Sequence, residues 1–316
     1  MSAQTVTEPQ IATEPVEFQS KGTTVRGNLY LPAGATDTLP GVVMAGGWCY
    51  VKELVLPRYA TAIADRGIAV LAFDYRTFGA SDGEPRLDID PWGQIEDYRN
   101  ALEFLGDDAR VDPDRLGAWG ISYSGGHVLI LGAIEERVKC VVSTIPVVEG
   151  EMNMRRVHGE ERYKDLLDLI AKDRRSRYEG NEPGLIPFHV DDPTKELATW
   201  PFPDSGPVFE KLKETGAPNF ENYSTIESVE RMLAYTVFPY VKRLGKTPTM
   251  MVLTENDHKT LVDLEIEAFN QIASPDKRCE ILPSLSHGSL YEDARHTRTA
   301  ATPAAEWFER HLGGRG

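Results

Sequence analysis

Three observations predict an α/β fold with a mostly parallel sheet. Short apolar runs at 41–45, 68–73, 116–121 and 138–143 alternate with helix-compatible segments. That is the pattern of strands buried on both faces and joined by crossover helices. The run 116–129 then reads as strand, sharp turn and helix, with Ser122 at the apex among small residues. Finally, the alternation stops near Ile145 and returns at Thr247. The roughly ninety residues between are too many for one loop, so an inserted unit is expected.

The elements follow in order. Residues 1–15 are polar and acidic and read as a flexible N-terminal arm. Alternation over 16–18 and 24–31, around a Lys21-Gly22 turn, predicts a hairpin. The buried run 41–45 ends in Gly46-Gly47-Trp48-Cys49-Tyr50, where glycine lets backbone approach a ligand closely. Helical spacing over 58–66 ends at Gly67. The run 68–73 opens into the loop from Asp74 to Gly83. Ile95, Tyr98, Leu102 and Leu105 predict an amphipathic helix over 92–105. Within the insertion, 162–178 and 225–244 read as helices around a stretch rich in proline and aromatics at 180–207. The strand at 247–254 runs into Glu255-Asn256-Asp257-His258, and a helix is expected over 261–272. The last strand, 278–282, leads to Ser286-His287-Gly288, and a helix over 301–312 closes the chain. The expected division is a core of 16–145 and 246–316 with a helical cap at 146–245. The cap would cover the carboxyl edge of the sheet, where open α/β folds bind ligands.

Composition excludes several functions. Of 316 residues, 34 are Lys or Arg and 49 Asp or Glu, a formal net charge of −15. Phosphate backbones need basic patches, so a nucleic-acid partner is not expected. Cys49, Cys140 and Cys279 are too widely spaced for a disulfide framework or a zinc site, and suggest a reducing compartment. The start has no signal-peptide pattern, and no apolar run approaches the ~20 residues of a membrane span. The expectation is a cytoplasmic protein without membrane contact. No His, Asp or Glu set has metal-ligand spacing, and neither glycine turn gives a dinucleotide fingerprint. No metal or cofactor is expected, and a homodimer is left open.

The stretch around Ser122 resembles the nucleophile elbow of the α/β-hydrolases. Gly120 and Ser122 match the Gly-x-Ser-x-Gly pattern, while Ser124 holds the last glycine slot and Gly125 comes next. This variant is similar to the cocaine-esterase and X-prolyl-peptidase branch, beside the dienelactone-hydrolase-like one. The resemblance implies an α/β-hydrolase fold and a catalytic order of Ser, acid, His, each just beyond a strand. Ser122, Asp257 and His287 occupy those places. Glu255 follows the same strand as Asp257 and is the rival acid. A serine hydroxyl is a weak nucleophile and needs such a base, and the base needs an orienting acid. The resemblance also implies backbone oxyanion donors at Tyr123 and Trp48, with Cys49 and the Tyr50 side chain as rivals. Gly46-Gly47 stands where the family usually begins His-Gly. The Asp74-Tyr75-Arg76 segment is similar to a bracing loop of the family, with Thr77 replacing one glycine. Candidate substrate contacts are Cys49, Tyr50, Trp200, Phe202, Tyr223 and Tyr240. His127 lies on the elbow helix and is expected as a satisfied core histidine.

The activity implied is cleavage of a carboxylic ester or lactone through an acyl-enzyme on Ser122. One alternative is acyl transfer or thioester cleavage in polyketide or secondary metabolism, where family members also serve. The substrate would then be a small ester, lactone or thioester. An alternative of another class is a hydrolase fold retained as a ligand receptor. The intact Ser122, Asp257 and His287 argue against that, since a receptor needs only the pocket.

Overall fold

A computed structural model describes residues 11–34 and 37–313. The chain opens with β1 (Ile11–Ser20) and β2 (Thr23–Pro32), an antiparallel hairpin turning at Lys21-Gly22. Residues 11–15, expected in the arm, are therefore strand, and the rest of the arm lies outside the described residues. Glu14 and Pro15 disguise this strand, but β1 is the sheet edge, where charge and a missing N–H are tolerated.

Next come β3 (Leu39–Ala45), α1 (Leu56–Ala64), β4 (Ala69–Phe73), α2 (Pro91–Gly106), β5 (Val111–Ile121), α3 (Tyr123–Ile134) and β6 (Val138–Thr144). Asp90 caps α2 by accepting from Trp92 N, and Pro91 stands in its first turn. The insertion holds α4 (Gly150–Tyr178), β7 (Leu185–Pro187), α5 (Ser205–Thr215), β8 (Tyr223–Thr225), α6 (Ile226–Leu233) and α7 (Phe238–Val241). The sheet resumes with β9 (Thr249–Thr254), α8 (Val262–Gln271) and β10 (Lys277–Leu282); α9 (Ser289–Glu292) and α10 (Ala294–Leu312) end the fold.

The eight-stranded sheet has the order β1-β2-β4-β3-β5-β6-β9-β10. From β4 to β10 all pairings are parallel, and β1 and β2 are antiparallel. Strands β3, β4 and β9 are buried along their whole length. Only chain covered by helices on both faces can be that apolar without alternating.

The insertion differs from the expectation in four ways, the first being α5, a helix that was not expected. β7 and β8 pair as a small antiparallel ribbon, so the cap is not purely helical. The helix expected over 162–178 begins at 150 and is interrupted at Gly159, whose φ of 71° and ψ of 162° are not helical. The helix expected over 225–244 is two pieces, with Thr236 bridging to Glu149 between them. Pro239 stands in the first turn of the second piece, where its missing N–H is harmless.

Candidate active site

β5 delivers the central serine. Its last six residues are buried, and at Ser122 the backbone turns through φ 58°, ψ −119° into α3. A non-glycine residue there carries roughly 1–3 kcal/mol of strain, which the surroundings must hold in place. They do so by close packing. A Cβ on Gly120 would lie 2.2 Å from the carbonyl oxygen of Ser124, and one on Gly47 would lie 3.2 Å from Ser122 Oγ. Ser124, in the slot usually held by glycine, is a brace. Its Oγ accepts from Ile121 N at 2.8 Å and lies 2.8 Å from the Ala45 carbonyl, tying the elbow to the end of β3. Tyr98 bridges the same two strands, accepting from Ala45 N and donating to the Trp119 carbonyl, both at 2.9 Å.

The loop after β3 is anchored from outside the site. Buried Lys52 donates its backbone N–H to Asp74 at 2.6 Å and its ammonium at 2.8 Å. Arg76 in turn grips Asp97. The Asp74 to Gly83 loop is thus a brace for the glycine turn, as expected.

Asp257 follows β9 by three residues and is buried. One carboxylate oxygen accepts the N–H groups of Lys259 and Thr260, each at 2.9 Å. The other lies 2.8 Å from His287 Nδ1. Burial pushes this carboxyl up, but the charge and hydrogen bond of His287 and the two amides outweigh it and hold the pKa below the ordinary value. Glu255, the rival acid, instead accepts from Ser284 N at 2.7 Å on the surface. His287 lies in the loop after β10, and its Nε2 is 3.2 Å from Tyr291 Oη.

Ser122 and His287 line one cavity. Its walls include Trp48, Tyr50, Phe188, Trp200, Phe209 and Tyr291. Of the expected substrate contacts, Tyr50 and Trp200 are therefore placed in it. The Tyr50 ring sits between Phe209 and Tyr291, at 5.4 and 5.7 Å. Four others line no part of it. Buried Cys49 has its Sγ 3.3 Å from the Tyr223 carbonyl, and burial pushes its thiol well up. Phe202 packs on His258. Tyr223 is 45% exposed on β8, and Tyr240 packs on Trp92 at the surface. Trp48 lines the cavity and points its indole N–H to Ser224 Oγ at 3.3 Å. Tyr123 is packed between Trp48, His127 and Tyr235. His127 is a satisfied core group, with Nδ1 and Nε2 each 2.9 Å from Tyr235 Oη and Gln94 Oε1.

Sequence reasoning missed Phe188, Ser205, Val208, Lys259 and Tyr291 as lining residues. Tyr291 and Lys259 had a signal, one helical turn after His287 and two residues after Asp257. It also missed Glu265, buried behind the acid, whose Oε1 accepts from Thr260 Oγ1 at 2.9 Å. Burial, then the charge of Asp257, drives its carboxyl well up. Among the described residues, no three His, Cys, Asp or Glu side chains are grouped to hold a metal, and no helix is long and apolar enough to cross a membrane.

A family model described as "Alpha/beta hydrolase family" matches residues 34–302. The chain belongs to that family. It is 30% identical over 283 residues to the polyketide transferase claH of Penicillium crustosum, covering 87% of this chain and 90% of that one. It is 31% identical over 293 residues to the thiohydrolase aneE of Aspergillus aculeatus, covering 87% and 86%. Among solved structures, the alpha/beta hydrolase GrgF from Penicillium sp. sh18 superposes with a TM-score of 0.79 at 25% identity, covering 96% of this chain and all of that one. These likenesses support an enzyme with hydrolase-fold activity on a small molecule. They do not favour the carboxylic-ester reading over the acyl-transfer and thioester alternative.

Proposed function

We propose that the protein transfers an acyl group from a thioester or ester to Ser122, and from there to water or another small acceptor. The observation that carries this is the strained Ser122 facing the same cavity as His287, whose Nδ1 is held by a buried, ionised Asp257. A ligand receptor has no use for that strain or for a desolvated carboxylate.

Asp257 fixes the His287 tautomer with the proton on Nδ1, leaving Nε2 to act as base. For attack, Nε2 exchanges its Tyr291 partner for Ser122 Oγ. The serine oxygen adds to the carbonyl carbon as its proton passes to Nε2. The oxyanion is held by the Tyr123 and Trp48 backbone N–H groups, with the dipole of α3 behind them. Collapse expels the thiol or alcohol, protonated by His287, and leaves acyl-Ser122. Attack by the acceptor, with His287 again as base, frees the enzyme. The relatives' names, transferase and thiohydrolase, favour a thioester donor and cover both fates of the acyl group. The core, 16–145 and 246–316, supplies this chemistry, and the insertion at 146–245 acts as lid and selectivity wall.

A fluorophosphonate tests it. The probe should label Ser122, and Ser122→Ala should abolish both label and turnover of acyl-N-acetylcysteamine thioesters. An adduct on Ser124 would overturn the assignment, since that hydroxyl is buried as a brace.

A further inference from the structure

The cavity has one lysine or arginine among its described lining residues. Lys259 is only 7% exposed, yet it borders the same space as Ser122 and His287. Its backbone N–H binds Asp257, and its side chain reaches the insertion. Its Nζ lies 2.7 Å from Ser205 Oγ, at the start of α5, and 3.2 Å from Asp204. It also stands 5.2 Å from the Phe202 ring centroid, and a Cβ on Gly288, beside His287, would be 4.0 Å away.

These contacts do not account for a lysine here. Desolvating an ammonium costs several kcal/mol. The carboxylate partner, Asp204, is 56% exposed, and pairs with such solvated groups contribute about 0–1 kcal/mol. Ser205 is a neutral acceptor. A methionine would fill a similar volume beside Phe202 without the penalty. An ammonium has three N–H donors; Ser205 accepts one hydrogen bond and Asp204 is an ion partner at 3.2 Å. Among the described residues Nζ has no second hydrogen-bond acceptor, and it borders the cavity. Ser205, itself buried, lines the cavity next to it.

We propose that Lys259 and Ser205 form a subsite for a carboxylate carried by the acyl group of the substrate. The acyl chain would run from Ser122 past the aromatic wall, with its far carboxylate accepting from Lys259 Nζ and Ser205 Oγ. Asp204 then acts as a placeholder, a solvated carboxylate that holds the ammonium until a better-desolvated one enters. This rests on the acyl-enzyme reading and names its substrate class.

The experiment compares N-acetylcysteamine thioesters matched in chain length, glutaryl against pentanoyl and adipoyl against hexanoyl. The readout is the acid-to-neutral ratio of kcat/KM, with acylation of Ser122 followed by mass. Lys259→Met should lower that ratio roughly 10- to 100-fold, the scale of a charge-assisted hydrogen bond, and Ser205→Ala should lower it less. Asp204→Asn, at a half-exposed side chain, should raise the ratio by removing a competitor. If Lys259→Met depresses both members of a pair equally, or Asp204→Asn lowers the ratio, Lys259 is a latch between core and insertion and the subsite is wrong. If no thioester acylates Ser122 in the unaltered protein, the acyl-enzyme reading falls and the subsite with it. Neutral turnover with an unmoved ratio removes the subsite alone.

Discussion

The core and the insertion contribute to the same cavity in different ways. Ser122, Asp257 and His287 come from three strand ends at one edge of a parallel sheet, within a few residues of where β5, β9 and β10 stop. Phe188 and Trp200 come from loops of the insertion and Ser205, Val208 and Phe209 from α5, so no strand end fixes where these walls sit relative to the sheet. Parallel topology puts these strand ends on one edge of the sheet, so the groups proposed to react have little freedom to move. The walls are held by aromatic packing, such as Phe209 between Phe188 and Phe220 at 4.9 and 5.3 Å. Such walls can be rebuilt without disturbing the elbow. Chemistry should therefore be lost through the core, and selectivity altered through the insertion.

The largest effect breaks the core. Ser122→Ala and His287→Ala should each lower kcat by about four orders of magnitude or more, and Asp257→Asn nearly as far through the wrong tautomer. All three should lose rate on small and bulky acyl groups alike. A mild Asp257→Asn beside a severe Glu255→Gln would contradict the hydrogen bond seen between Asp257 and His287.

A second prediction separates stability from chemistry within the core. Burial lowers the His127 pKa from its ordinary 6.5 to about 3, so the folded state resists protonation. Between those values the unfolded chain binds one more proton than the folded one. Stability is then full above pH 6.5 and falls as pH drops toward 3, at about 1.4 kcal/mol per pH unit from this group. His127→Gln should lose some stability at neutral pH but show a shallower acid slope by about that amount. Urea unfolding at several pH values measures it. Parallel slopes would mean that His127 is not the acid-sensitive group.

This contrast also explains what the sequence revealed. The elbow, the acid turn and the histidine loop each sit beside a short apolar run, so strand prediction placed Ser122, Asp257 and His287 on one edge. His127 was legible as a core residue from its place on the elbow helix. In the insertion, aromatic content marked a pocket but could not aim its side chains. Trp200 faces the cavity, while Tyr223 and Tyr240, equally aromatic, face solvent or Trp92. Lys259 was invisible because lysines are usually solvated, and its hydrogen bond to the insertion depends on α5, a helix just after the proline-rich stretch that had no helical reading. β1 was shortened because edge strands tolerate the Glu and Pro that usually end a strand.

Trp200 sharpens the comparison from the other side. Trp200→Ala should weaken transition-state binding of a bulky acyl thioester by roughly 1–3 kcal/mol, the scale of one large buried apolar group. Turnover of p-nitrophenyl acetate should change far less. Equal losses in kcat/KM on both substrates would make this wall a brace rather than a selectivity element.

The smallest effect is the control for that result. Tyr240 belongs to the same insertion and was an equal candidate for substrate contact. Its ring meets Trp92 at 5.8 Å, and Arg243 lies over it at 5.6 Å. Trp92 is itself half exposed, so little water is excluded between them. An aromatic pair is worth about 0.5–1.5 kcal/mol beyond its burial, and solvent contact places this one toward the low end. Tyr240→Ala should therefore cost less than about 1 kcal/mol in urea unfolding. The ratio of bulky to small acyl turnover should stay as in the unaltered protein, because the ring lines no part of the cavity. If the ratio moved as far as in Trp200→Ala, selectivity would depend on the insertion as a whole body. The distinction between its cavity-facing and outward-facing aromatics would then carry no function.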